Sequence, residues 1–409
     1  MPEGAMPEGA MPDGGKPGGV KPDGAGPGAD FPVAEYAARV DKAQALMRAA
    51  GLDALLVTTE PEVRYFSGFR TLFWQSPTRP WFLIVPASGK PVAVIPEIGA
   101  ALMRRTWLDD IRTWSSPHPD DDGISLLADA LTGKPRIGLP MGRESSLRMP
   151  LIDFQALRGR LKGQQVTDAT PLVRTLRMVK SEAEIEKIAR ICAIGSAAFD
   201  RAPDLFHAGQ PLDDAFRAFR IALLREGADD VPYLVGGAAQ PSYGDVISPP
   251  DATPLAPGDV LMLDTGATRD GYFCDFDRNF AVHAADDRAM AAHRTLHAAT
   301  EAGLAAARPG ATCAGLFAAM AKVIAEAGGG SDDIGRLGHG LGLQLTEPPS
   351  LTAFDDTVLE EGMVLTLEPS MTVATAAMMV HEENIVIRDG APQLLTARTP
   401  PDLPVIGET

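Results

Sequence analysis

Val260-Leu261-Met262-Leu263-Asp264-Thr265-Gly266-Ala267 is followed, after Thr268-Arg269-Asp270-Gly271, by Tyr272-Phe273-Cys274-Asp275-Phe276-Asp277-Arg278-Asn279-Phe280-Ala281-Val282. Both runs are apolar and rich in β-formers, and Arg269-Asp270-Gly271 is a turn signal, so the pair predicts a β-hairpin. Counting outward from the turn puts Asp264 and Asp275 roughly opposite each other. Facing residues on one side of a hairpin lie ~4.5–5.5 Å apart at Cβ, near enough to share ions ~3.5–4 Å apart. Two such carboxylates repel unless something neutralises them, and a cation is the simplest remedy. Asp277 shares the face of Asp275 by strand alternation; it is either a further acidic residue supporting or ligating the ion or an ion-pair partner for Arg278, and the ion pair is the expected reading.

Three further residues in the C-terminal half have the same character. His339 sits in Leu337-Gly338-His339-Gly340-Leu341-Gly342, where glycines on both sides allow close backbone approach and leave the imidazole facing a site. Glu368 ends the apolar run Leu365-Thr366-Leu367, and Glu383 lies within His381-Glu382-Glu383-Asn384-Ile385-Val386-Ile387. An unpartnered carboxylate in either place is costly. One nitrogen and four carboxylates suit divalent Mn, Fe, Co or Zn.

Working outward, Ser181 and Glu184 form a capping-box pattern that opens a long helix carrying Ile185, Ile188, Ile191 and Cys192. Helical segments are predicted near 211–227, 285–307 and 312–327, with strands at 260–267, 272–282, 363–369 and 378–387. That combination predicts an α+β unit over 175–400, with helices flanking a mainly antiparallel sheet. Upstream, a helix over Tyr36–Ala50 stops at Gly51, and short apolar strands at 54–59, 81–87, 91–96 and 136–140 alternate with helices. These predict an α/β domain over 31–165. The loop from Leu72 to Trp81 sets Trp74 and Arg79 in a segment that is a candidate for facing substrate. Residues 1–30 carry proline at positions 2, 7, 12, 17, 22 and 27 and abundant glycine, so a disordered tail is expected.

Composition narrows the function. Hydrophobic residues make up 45% and charged residues 22% of the 409, a soluble globular balance. The net charge of −17 disfavours nucleic acid and anionic membranes, which require a basic face. No run approaches the ~18 apolar residues of a membrane span. Three widely spaced cysteines supply no disulfide framework and suit a reducing, cytoplasmic compartment.

With these residues in view, the chain resembles the creatinase/aminopeptidase P/prolidase family, the M24 metallohydrolases of pita-bread fold. The resemblance rests on Asp264-Thr265-Gly266, Gly271-Tyr272, Asp275, Arg278, His339-Gly340-Leu341-Gly342, Leu367-Glu368-Pro369 and Glu383-Asn384. Leu176-Arg177-Met178-Val179-Lys180-Ser181 and Tyr65-Phe66-Ser67-Gly68 extend it over about 32–400. It implies a creatinase-like N-terminal domain and a catalytic domain with a curved, mainly antiparallel sheet. It also implies two divalent ions, manganese first, with Asp264 and Glu383 on one ion, His339 and Glu368 on the other, and Asp275 and Glu383 bridging. A water held between the ions would cleave a C–N bond of a small peptide, with Glu368 as general base and then acid. A homodimer is implied as well.

The departures from the family pattern concern the substrate. Thr346, in Gln344-Leu345-Thr346-Glu347-Pro348-Pro349, occupies the place of a usual histidine, and the stretch Gln240–Ser248 around Tyr243 lacks another. Loss of one oxyanion stabiliser costs ~2.7–4 kcal/mol. Thr346 and Tyr243 are the expected substrate-side residues there, and His381, standing where Arg is usual before the last glutamate, is the expected catalytic replacement. A small-metabolite hydrolase or lyase, of ectoine hydrolase or dimethylsulfoniopropionate lyase type, is the alternative. A non-catalytic binding protein is the third reading.

Overall fold

The computed structural model describes residues 30–76, 78–329 and 335–407. The expected tail, but for Asp30, therefore lies outside the described residues, as does Pro77 of the tryptophan loop. The first unit opens with a helix, Val33–Ala50, closed by Gly51 at φ 66°. Its face of Tyr36, Val40, Ala43 and Met47 is buried. The unit is built on a mixed sheet of β1 (Ala54–Val57), β2 (Phe82–Pro86), β3 (Val92–Pro96), β4 (Asp110–Trp114), β5 (Arg136–Leu139) and β6 (Gln165–Asp168). Their order is β4-β3-β2-β1-β5-β6. β1 is buried at every residue, as a central strand of continuous Ala-Leu-Leu-Val should be. β6 runs past the expected boundary at 165; its Gln-Val-Thr-Asp sequence is an edge strand with no apolar run to signal it.

Between the units, helix Thr170–Met178 leads to Ser181, whose side chain and Glu184 make both bonds of the predicted capping box. The helix Glu182–Phe199 buries Ile185, Ile188, Ile191 and Cys192 as expected. The units are tied by buried polar contacts. Arg39 lies 3.4 Å from Glu184, which accepts from the Tyr272 hydroxyl at 2.9 Å. Arg177 and Lys180 both meet the buried Glu347, and Arg177 also lies 3.5 Å from Glu62.

The second unit holds two sheets. One contains β7 (Asp230–Ala239), β8 (Val260–Arg269), β9 (Tyr272–Phe273) and β10 (Phe276–Val282). The other contains β11 (His339–Gly340), β12 (Glu347–Ser350), β13 (Val364–Leu367), β16 (Glu383–Val386) and β17 (Gln393–Leu394). A separate ribbon, β14 (Ser370–Ala374) with β15 (Ala377–Val380), lies between β13 and β16 in sequence, and β18 (Val405–Ile406) edges the first sheet beside β10. Helices Asp287–Ala306 and Cys313–Glu326 cover the second sheet and fill its core with Leu296, Leu316, Met320 and Ile324. The α/β plus α+β architecture matches the expectation. No helix among the described residues is long and apolar enough to cross a membrane.

Two differences from the sequence reading matter for the site. The predicted hairpin forms through a two-residue turn, Asp270 at φ 49° and Gly271 at φ 75°, the positive pair that a twisted hairpin prefers. Its register, however, sets Asp264 opposite Asp277, with Asp275 two residues nearer the turn on the same face. Asp264 and Asp275 are thus diagonal neighbours. The run 378–387 is also not one strand: it breaks at His381-Glu382 between β15 and β16, just as 363–369 breaks at Glu368 between β13 and β14.

The two sheets are stapled by buried side chains. Asn384 accepts from the Asp275 N–H at 3.0 Å and donates back to the Asp275 carbonyl. Arg278 donates to the Glu383 carboxylate at 2.9 Å and to the carbonyls of Glu382 at 2.8 Å and Ala397 at 2.6 Å. The expected Arg278–Asp277 ion pair is absent, since the guanidinium reaches only the Asp277 carbonyl. Glu383 is fully buried and depends on this pairing. Removing one partner of a buried pair costs ~3–5 kcal/mol. Arg398, 3.2 Å from Glu383, cushions the loss, so Arg278→Met is expected to lower unfolding free energy by about 3 kcal/mol, read from the urea denaturation midpoint. An unchanged midpoint would remove Arg278 from the account.

Candidate metal centre

Asp275, His339 and Glu382 bring ligand atoms within 4.8 Å of one another, and all three residues are buried. Each comes from a different irregularity in the sheets. Asp275 follows β9 at the gap before β10, His339 opens β11, and Glu382 fills the break between β15 and β16. The glycines around His339 are required by packing. A Cβ on Gly338 (φ 147°) would lie 2.3 Å from the Thr366 carbonyl, and one on Gly340 would lie 2.2 Å from that of Pro348.

The imidazole is oriented for ligation. His339 Nδ1 lies 2.8 Å from the Gly340 carbonyl, the partner that places its proton there and leaves Nε2 free to coordinate. Nε2 is 3.3 Å from Asp275 and 3.7 Å from Glu368. Burial holds the ring's pKa below its ordinary value, opposed by Glu368. Glu368 remains partly exposed and pairs with Arg336 at 3.4 Å, at the rim.

The carboxyls carry the strain of the arrangement. Burial first, and then Asp275 and Glu368, push Asp264 well above the usual carboxylate range. Burial does the same to Asp275, and burial with Asp275 and Glu368 does so to Glu382. One oxygen each of Asp264 and Glu382 is buried with no hydrogen-bond partner. Orphaned carboxylate oxygens beside an imidazole whose Nδ1 meets a backbone carbonyl are the donor set of a divalent cation. The residues present therefore fit metal ions.

Of the five expected ligands, Asp275, His339 and Glu368 meet in this cluster, and Asp264 shares the sheet face of Asp275. Glu383 does not. Its carboxylate is taken by Arg278, Thr396 and Arg398, and the strand break hands the site to Glu382 instead. Among the expected catalytic and substrate residues, His381 is turned away. Its two nitrogens meet Thr300 at 3.1 Å and Thr399 at 2.8 Å, and it packs against His293 and His297. Tyr243 is buried and pins Val380 to Asn279, accepting from the Val380 N–H at 2.7 Å. What it does present borders a separate cleft with Gly237, Gly244 and Asp245. Thr346 is exposed on the loop before β12. Trp74 is buried against Trp81 and Arg148, and one face lines a cleft shared with Gln344 and Leu345. Arg79 is half-buried and lies over Phe73.

Sequence reasoning missed Glu382, Arg336 and Tyr233. The phenol of Tyr233, on β7 opposite Gly266, donates to the Asp264 carboxyl. The one available signal for Glu382 was the polar pair His381-Glu382 interrupting an apolar run.

Comparison with known proteins follows the same outline. Residues 186–389 match the model of metallopeptidase family M24, and residues 39–179 match that of the creatinase/prolidase N-terminal domain. A Mycobacterium tuberculosis protein named "Probable dipeptidase PepE" is 29% identical over 87% of this chain and 93% of its own length. The Xaa-Pro dipeptidase of Pyrococcus horikoshii is 26% identical over 88% of this chain and 96% of its own. The crystal structure of dipeptidase PepE from Mycobacterium ulcerans superposes with a TM-score of 0.81 at 28% identity, covering 92% of this chain and all of that one.

The raised carboxyl values fix a pH dependence. Without ions, the folded protein holds protons that the unfolded chain, titrating near ~4, has released. That contribution to stability is present below the unfolded value and is lost as pH rises through the raised folded ones. Bound cations replace those protons. The difference in Tm between Mn2+-loaded and EDTA-stripped protein should therefore widen from pH 5 to pH 8 in thermal scans. A difference that stays constant or narrows would contradict the cluster's electrostatics.

Proposed function

The chain belongs to the M24 metallopeptidase family and is a metal-dependent hydrolase, and from that premise we propose that it cleaves the C–N bond of a small peptide, as a dipeptidase. The observation that carries the reading is the buried meeting of Asp275, His339 and Glu382, with Glu368 beside them and a carboxylate oxygen of Asp264 left without a partner. We assign the metal ligands as Asp264, Asp275, His339, Glu368 and Glu382. Two divalent ions bound there would supply polarisation of the scissile carbonyl and acidification of water.

The remaining work belongs to the chain. Glu368 is partly exposed where its neighbours are buried, so it is the carboxylate that substrate can approach. Burial raises its pKa, as does Asp275, while His339 opposes them. A carboxyl with a raised pKa is suited to take a proton and return it to the departing amine. Arg336, 37% exposed at the rim, offers a guanidinium to the carboxylate of a short peptide. Tyr233 orients Asp264. Burial of the remaining ligands excludes bulk water from the reacting face.

A second reading is favoured by one observation. With His381 engaged by Thr300 and Thr399 and threonine at 346, no imidazole besides His339 stands by to steady a peptide's tetrahedral intermediate. A small metabolite with a C–N or C–S bond, needing less oxyanion support, fits such a site. Mn2+-loaded protein assayed against a dipeptide panel, including Xaa-Pro, and against ectoine-like and sulfonium compounds separates the two. The dipeptidase reading expects peptide hydrolysis that falls about 10²–10⁴-fold in Glu368→Gln. Turnover of a metabolite alone would overturn it in favour of the second reading.

A further inference from the structure

One buried carboxylate at this centre is left without a role by the five ligands. Asp277 is 2% exposed and sits directly across the strand pair from Asp264, on the face that carries Asp264 and Asp275. One of its oxygens accepts from Asn279 Nδ2 at 2.6 Å; the other is buried with no partner. Asn279 is itself fixed by the Tyr243 hydroxyl at 3.0 Å and by donation to the Val380 carbonyl at 2.7 Å, so it holds the Asp277 side chain in place. The Glu382 N–H also faces the Asp277 carboxyl, drawing it to the end of the cluster where Glu382 lies.

The ordinary explanation of such a group would be an ion pair with Arg278. That guanidinium is spent on the Glu383 carboxylate and on the carbonyls of Asp277, Glu382 and Ala397. Arg278 eases the charge of Asp277 from alongside, but among the described residues no guanidinium or ammonium hydrogen-bonds the carboxylate, and its oxygen is orphaned beside Asp264 and Glu382 with orphaned oxygens of their own. We propose that Asp277 is an additional ligand to the ion held at the Asp264 end of the centre, making that end richer in carboxylate than the His339 end. The inference rests on the metal-dependent reading above and extends it. A carboxylate-rich end favours a hard divalent ion such as Mn2+ over the softer ions that the imidazole end tolerates.

The test is titration calorimetry of EDTA-stripped protein with Mn2+, with bound metal counted by elemental analysis. Wild type should take up two ions. Asp277→Asn, nearly isosteric, should keep one at near wild-type affinity and bind the other more than about a hundredfold more weakly, beyond what loss of an outer-sphere partner costs. Asp277→Ser, which needs no space, should show the same loss if the asparagine variant fails to fold. Two ions of unchanged affinity in either variant would overturn the inference and leave the family reading intact. A wild type that binds no ion would overturn both.

Discussion

Buried acidic groups whose carboxylates, among the described residues, no arginine or lysine hydrogen-bonds share one dry seam between two sheets, and the rest of the second unit is arranged around that charge. Asp264, Asp275 and Glu382 are each driven up by burial, and orphaned oxygens remain on two of them. Desolvation at this depth is tolerated only with protons or cations in place. A hydrolase gains from that constraint. The same burial that makes the apo cluster unfavourable makes it a strong and water-poor site for ions.

The fold meets the constraint with breaks. Four of the five ligands we propose sit where a regular strand stops: Asp275 before β10, His339 at β11, Glu368 after β13 and Glu382 before β16, while Asp264 lies within β8. A regular strand would send neighbouring residues to opposite faces in strict alternation. A break frees the side chain from that alternation, but the seam must then be held by other means. Asn384, Arg278 and Tyr243 supply them, each bonding across elements distant in the chain. Arg278 pairs with Glu383 and so leaves Glu382, at the adjacent position, as the glutamate that faces the cluster.

Much of this was legible in the sequence, because the signals were local. The capping box at Ser181, the stop at Gly51, the Asp270-Gly271 turn and the glycines flanking His339 each state their own geometry within a few residues. Asp264, Asp275, His339 and Glu368 followed from such contexts. Which of two adjacent glutamates faces the site did not, since it depends on where β15 ends and β16 begins. That point is set by Tyr243 holding Val380 and Asn384 holding Asp275, contacts spanning more than a hundred residues. The buried partners of His381 and Tyr243 were hidden for the same reason. A polar side chain next to a motif looks like part of the site until its own buried partners are known. The expected hairpin register differs from the observed one by two residues, which puts Asp277 rather than Asp275 opposite Asp264.

We assign Glu382, rather than Glu383, to the metal centre. Metal content after dialysis, measured on Glu382→Gln and Glu383→Gln side by side, tests it most directly. The account predicts that Glu382→Gln loses at least one ion, whereas Glu383→Gln keeps the wild-type complement and is only less stable. The opposite pattern, with ions lost from Glu383→Gln and retained in Glu382→Gln, would contradict it.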